Sequence, residues 1–192
     1  MVDDQGTGGG VSRVPAGSGR SVWMAGDTYT FKATAESTNA RLTLFEASVP
    51  PGAGPPPHTH AREHEAYYVL AGELEVLDGE RTFTVRAGDF VVIPPGTLHR
   101  FRNPGVDAAR MLILFTPAGI EGFFFEAGEA ARPGEPAPQW GAEEIQRALE
   151  IEPRYGTRTQ LPDAALGTQE PSERAEQQVA TLGDGAEEDR RW

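Results

Sequence analysis

PPPHTHAREHEAYYVLAG, residues 55–72, places three of the chain's four histidines and two glutamates within a few positions of one another. On an extended strand, side chains two apart share a face, so His58 and His60 point the same way. Such a pair supplies two ligands to a metal, whose donors converge within about 2.0–2.2 Å, without any special bend. Simple alternation next nominates His64 and leaves Glu65 on the opposite face. A turn or bulge at Ala61-Arg62-Glu63 would reset the parity, bringing Glu65 inward with Tyr67 and Val69 on its face. Glu63 itself reads as a solvated charge.

A further ligand has to come from a partner strand. GDFVVIPPGTLHRFRNPG, residues 88–105, offers His99 directly after a tight Pro-Pro-Gly turn. His99, Phe101 and Asn103 share one face there, while Arg100 and Arg102 point away. All four histidines therefore fall between residues 58 and 99 of a 192-residue chain. Clustering of that kind beside carboxylates favours metal binding over a scatter of ordinary core or surface histidines.

Working outward, residues 21 to about 117 read as short β-rich runs punctuated by turns. TYTFKATA (28–35) and RLTLFEASV (41–49) mix β-branched, aromatic and alternating apolar positions. Asp78-Gly79 is a two-residue hairpin signal between ELEVL and RTFTV. ARMLILFTP (109–117) is apolar on both parities, as expected of a strand buried on both sides or at a sheet centre. Many short strands at regular spacing argue for an antiparallel sandwich or barrel. GIEGFFFEAGEAA reads as a short helix whose phenylalanines, Phe123, Phe124 and Phe125, pack on the barrel or across its mouth. AEEIQRALEI (142–151) has apolar residues at near-helical spacing and Glu143 and Glu144 in its first turn, where the dipole favours them. The expected division is a Gly-rich disordered tail over 1–20, a barrel over 21–125, a helical extension over 126–162 and an acidic disordered tail over 163–192.

Composition narrows the chemistry. The formal net charge is −12, which argues against nucleic acid or an anionic membrane as a partner. The chain has no cysteine, so disulfides, thiolate nucleophiles and sulfur-ligated zinc or iron–sulfur sites are excluded. Lys32 is the only lysine, and no Gly-Lys-Ser/Thr sequence exists to cradle phosphate. The acidic, glycine-rich start, MVDDQGTGGG, has no apolar core of a secretory signal, and no apolar run is long enough to span a bilayer. A cytoplasmic location is the expectation.

Together the two histidine stretches resemble the cupin family. The first matches its motif as Gly52, five residues, His58-Thr59-His60, four residues, Glu65, six residues and Gly72. The second matches as Gly88, five residues, Pro94-Pro95-Gly96, two residues, His99, three residues and Asn103, with 15 residues between the motifs. The resemblance implies an all-β protein, a small jelly-roll barrel holding one divalent transition metal (nickel, manganese, iron or cobalt, with zinc admissible). Its implied ligands are His58, His60, Glu65 and His99. His64 is no ligand in that pattern, and a solvent-facing position is favoured for it over a supporting hydrogen bond.

Flanking stretches, including GDTYTFKAT, LFTPAGIEGFFFE and RYGT, resemble single-domain quercetin dioxygenase-like cupins. Enzymes of that group cleave the central ring of a flavonol with dioxygen and release carbon monoxide. The resemblance implies an enzyme with a small aromatic substrate and dioxygen as partners, and Glu65 as both metal ligand and catalytic base. Two alternatives keep the fold: an isomerase, cyclase or decarboxylase acting on a polyketide or sugar without dioxygen, and a non-catalytic ligand-binding cupin. A homodimer through the outer sheet of the barrel is the assembly considered.

Overall fold

Two antiparallel sheets share one apolar core in the computed structural model, which describes residues 10–161. Residues 1–9 and the whole tail expected over 163–192 lie outside the described residues. The chain divides into units Met1–Gln160 and Leu161–Trp192, and every described helix and strand belongs to the first. The strands are β1 (Ser21–Met24), β2 (Asp27–Ala33), β3 (Thr43–Val49), β4 (His58–His60), β5 (His64–Ala71) and β6 (Glu73–Asp78). They continue as β7 (Arg81–Arg86), β8 (Phe90–Ile93), β9 (His99–Arg102), β10 (Ala109–Thr116), β11 (Glu129–Ala130) and β12 (Thr157–Thr159). Helices are α1 (Ala35–Thr38), α2 (Glu121–Ala127) and α3 (Ala142–Ile151), the last running into a 3-10 turn at Glu152–Tyr155.

The larger sheet has the order β11-β1-β2-β3-β10-β5-β8, and the smaller one β12-β4-β9-β6-β7. From β3 to β10 the chain passes back and forth between the two sheets, except at the β6–β7 hairpin, the jelly-roll arrangement expected from the motifs. Both sheets also recruit strands from beyond residue 125: β11 pairs with β1, and β12 with β4. Ser18–Arg20 is tied to β2, where the Phe31 amide donates to the Arg20 carbonyl at 2.9 Å and Lys32 Nζ to the Ser18 carbonyl at 2.7 Å. Among the described residues no helix is long and apolar enough to cross a membrane.

Local sequence explains why the strands face as they do. On β5, Glu65, Tyr67 and Val69 are buried while His64, Tyr68 and Leu70 are exposed, a strict period of two. β10 lies at the sheet centre between β3 and β5, as its apolar sequence suggests. It is not buried on both sides, however: Met111, Ile113 and Phe115 face the core, and Leu112 and Leu114 are only half-buried. Their neighbours Tyr68, Phe90 and Val92 extend that apolar outer face. The hairpin between β6 and β7 has a two-residue loop, with the register one position later than the Asp-Gly pair suggests. Asp78 is still paired with Arg81, and Gly79-Glu80 makes the turn with Gly79 at φ 61°.

Glycine is required where the chain passes from β5 to β6 and so changes sheet. Gly72 has φ 78°, and a Cβ there would lie 2.9 Å from Ala109 Cα. On the far side of the second motif, Asn103 Nδ2 donates to the carbonyls of Val49 and Asp107 at 2.8 Å each, and its Oδ1 accepts from the Gly105 amide. The motif asparagine thus closes the turn between β9 and β10.

Candidate metal centre

Three imidazoles come from the smaller sheet and one carboxylate from the larger. His58 and His60 lie on β4, His99 lies on β9, and His58 and His99 are direct cross-strand partners. Glu65 enters from β5, between Phe115 on β10 and Ile93 on β8. One ligand atom from each of the four lies within 4.8 Å of the others. His60, Glu65 and His99 are buried, and His58 is the least buried of the four. The Pro-Pro-Gly turn is fastened to the same strand, the Gly96 amide donating to the His60 carbonyl at 2.8 Å.

The parity conflict between His64 and Glu65 is resolved by topology. At Ala61–Glu63 the chain leaves the smaller sheet and enters the larger one, so alternation does not carry across. Glu65 then faces the core and His64 is exposed. The same crossing overturns the reading of Glu63 as a solvated charge. Its carboxyl is only 2% exposed, with Oε1 3.4 Å from the Arg62 guanidinium and Oε2 without a hydrogen-bond partner.

Each histidine of the cluster holds its Nδ1 against an oxygen. His58 Nδ1 lies 2.9 Å from the Pro56 carbonyl and His99 Nδ1 lies 2.8 Å from the Thr97 carbonyl. A carbonyl can only accept, so both Nδ1 atoms carry the proton and donate it. Both Nε2 atoms are left for the centre. His60 Nδ1 lies 3.1 Å from Thr157 Oγ1, and its buried Nε2 has no hydrogen-bond partner among the described residues. Glu65 Oε2 lies 2.7 Å from His99 Nε2 and 3.4 Å from His60 Nε2.

Electrostatics follow from that packing. Burial alone would raise the Glu65 carboxyl, but its interactions with His60 and His99 hold it well below the usual carboxylate range. Burial, reinforced by the neighbouring His60 and His99, lowers His58 to about 3, so its imidazole is neutral at physiological pH. Burial also works to lower His99, yet the hydrogen bond to Glu65 leaves it raised. Three imidazole nitrogens and an ionised carboxylate, with one buried imidazole nitrogen unpartnered, fit a divalent transition metal. The donor set does not select among nickel, manganese, iron, cobalt and zinc.

An aromatic series leads away from the histidines. Phe115 stands edge-on to His60 at 5.1 Å between ring centroids and reaches Phe45 at 5.8 Å. Phe45 in turn meets Tyr29 and Phe124 at 5.4 and 5.0 Å. Phe124 therefore docks α2 on the core, as the phenylalanine run suggests. Tyr67, next inward from Glu65 on β5, is fully buried and packs on Phe101, and its hydroxyl has no hydrogen-bond partner. Sequence reasoning found the four clustered residues but not Thr157, which is 97 positions from the histidine it touches. Its only sequence signal is its place in the RYGT flank.

Comparison with known proteins agrees with the fold. Residues 45–115 match the family model of the cupin domain, a span that includes all four clustered residues. The chain is 48% identical over 61 residues to polyketide synthase CurC of Streptomyces cyaneus, covering 31% of this chain and 39% of that protein. It is 38% identical over 79 residues to germin-like protein subfamily 2 member 2 of Arabidopsis thaliana, covering 38% of this chain and 36% of that protein. The chain thus spans well under half the length of both relatives. A crystal structure described as a predicted oxalate decarboxylase from Thermotoga maritima superposes with a TM-score of 0.53 at 20% identity, over 55% of this chain and 99% of that one. That likeness is one of fold.

Proposed function

We propose that the protein is a metal-dependent dioxygenase of the quercetinase type, opening the ring of a flavonol or a similar enolic aromatic substrate. The observation that carries the reading is the convergence of three imidazoles and Glu65 inside the barrel beside an aromatic wall. His58, His60, Glu65 and His99 would hold the metal, which when bound supplies Lewis acidity and, if redox-active, chemistry with dioxygen.

The chain's own groups supply the rest. Glu65 is kept ionised by its histidine neighbours, so its carboxylate can take the proton of an enolic hydroxyl brought to the site. The Tyr67 hydroxyl, buried and unpartnered two residues further along β5, is available to donate to a substrate oxygen. Phe115 and Phe45 form the buried apolar wall nearest the centre, and Phe124 packs α2 on Phe45.

Oxygen consumption with quercetin, on protein stripped and reloaded separately with nickel, manganese, cobalt, iron or zinc, tests the reading. Uptake is expected with a redox-capable metal and not with zinc. Absence of uptake with every metal at full occupancy discards the flavonol reading. The likeness to the polyketide synthase protein favours a second one, in which the same site acts as a Lewis acid on a polyketide. Product formation without oxygen uptake would then be observed.

A further inference from the structure

The three histidines are not oriented by equivalent means. His58 and His99 each hold Nδ1 against a backbone carbonyl two residues earlier, Pro56 and Thr97. Those acceptors are built into the strand starts and no side-chain substitution removes them. His60 has no such local partner, and its Nδ1 faces Thr157 Oγ1 at 3.1 Å. Thr157 is buried and lies on β12, directly opposite His60 in the sheet register.

We infer that the Thr157 hydroxyl is a positioning residue for the metal centre, accepting the His60 Nδ1 proton and so presenting Nε2 to the metal. The inference rests on the metal-binding reading above and extends the site beyond the 45–115 cupin match. A hydroxyl can donate as well as accept, so the tautomer of His60 depends on where the threonine proton goes. With Nε2 on a metal, Nδ1 carries the proton and Thr157 must accept.

The segment around Thr157 is fastened to the histidine strand at both ends. The Ala61 amide donates to the Gly156 carbonyl and the Gln160 amide to the Pro57 carbonyl, at 2.8 Å each. Glu152, buried at the 3-10 turn, accepts from the Thr159 amide at 2.8 Å and from the Thr159 hydroxyl at 2.7 Å. The Arg62 guanidinium donates to the Tyr155 carbonyl at 2.8 Å. Residues 152–160 therefore hold Thr157 in place against His60 instead of leaving it on a free strand end. Among the described residues, β4 pairs with β12 through three residues and with β9 through the single pair His58–His99.

Cobalt binding to the full chain, measured by competition with a chelator, tests the inference without any turnover. Thr157→Val keeps the shape and removes the acceptor, and should weaken cobalt binding about 10–100-fold. Thr157→Ser restores the hydroxyl and should bind within about threefold of the natural chain, a margin well inside the effect of losing the acceptor. Arg158→Ala changes the exposed side chain of the same strand and should leave affinity unchanged. Natural affinity in Thr157→Val, or equal weakening in Thr157→Ser, overturns the assignment. Nitrogen-15 NMR of the natural chain loaded with zinc requires no variant at all: His60 should appear as the Nδ1–H tautomer, and an Nε2–H tautomer overturns the inference. Failure of the natural chain to take up cobalt overturns the inference together with the metal reading beneath it. Normal cobalt binding without oxygen uptake removes only the dioxygenase reaction.

Discussion

Two carboxyls are buried in the larger sheet, and their surroundings drive them in opposite directions. Glu65 on β5 faces His60 and His99 and is held well below the usual carboxylate range. Asp27 on β2 is fully buried, accepts one hydrogen bond from the Tyr29 hydroxyl at 3.0 Å and leaves Oδ1 unpartnered. Burial raises it from 3.8 to about 7, although the Tyr29 hydrogen bond works the other way. Burial is common to both, so it decides neither role. The two imidazoles beside Glu65, against a single tyrosine hydroxyl beside Asp27, decide which carboxyl stays ionised and which holds its proton.

The largest effect expected from this contrast is at Glu65. Replacing it with alanine removes the base and one ligand while the three histidines, each with Nδ1 still held, continue to bind metal more weakly. Turnover should fall by at least about 100-fold, the lower end of what a positioned base contributes. Oxygen uptake and metal content are read on the same preparation. Full activity in Glu65→Ala would remove both of its proposed roles at once.

Asp27 gives a smaller effect, on stability instead of turnover. Its carboxyl keeps its proton in the folded state up to about pH 7, whereas the unfolded chain loses it near 3.8. Below about pH 4 the group is protonated in both states and costs nothing. Between about pH 4 and 7 the unfolded state ionises first, so the contribution to stability is lost as pH rises. A displacement from 3.8 to about 7 corresponds to as much as ~4 kcal/mol. Asp27→Asn should abolish this dependence and make the protein more stable than the natural chain above pH 7. Urea unfolding of both proteins in chelator, at pH 4 to 8, measures the difference. Parallel stability curves would show that Asp27 is not the proton-holding group.

The same contrast marks what could be read from the sequence. Strand periodicity is local, so it paired His58 with His60 and put His99 on an inward face, but from there it nominated His64; Glu65 came from the resemblance of the two motifs. Glu63 could not be placed that way. Its burial depends on the chain crossing between sheets at Ala61–Glu63, an event set by topology. Asp27 sits just after a glycine turn, where an aspartate ordinarily caps or solvates, yet it is fully buried. Thr157 reaches His60 through a strand pairing that closes a loop of 97 residues, a distance no periodicity reports. What the sequence withheld is therefore the set of partners, and partners are what separate Glu65 from Asp27.

His64 provides the smallest expected effect and the cleanest check on the sheet crossing. It pairs with Thr116 at the start of β5 and points to solvent, away from the face that carries Glu65. If the crossing at Ala61–Glu63 sets the ligand identity, His64→Ala should leave metal stoichiometry and oxygen uptake unchanged. Its stability should also stay within about 0.5 kcal/mol of the natural chain, as for most surface substitutions. Metal analysis and urea unfolding measure both. A large loss of metal would mean that β5 enters the barrel one residue out of the register described here. That slip would turn Glu65, Tyr67 and Val69 outward together, because a strand cannot exchange one inward residue without exchanging them all. A single exposed histidine thus tests the placement of the whole inner face of β5, and with it the assignment of Glu65 as the buried carboxylate that faces the histidines.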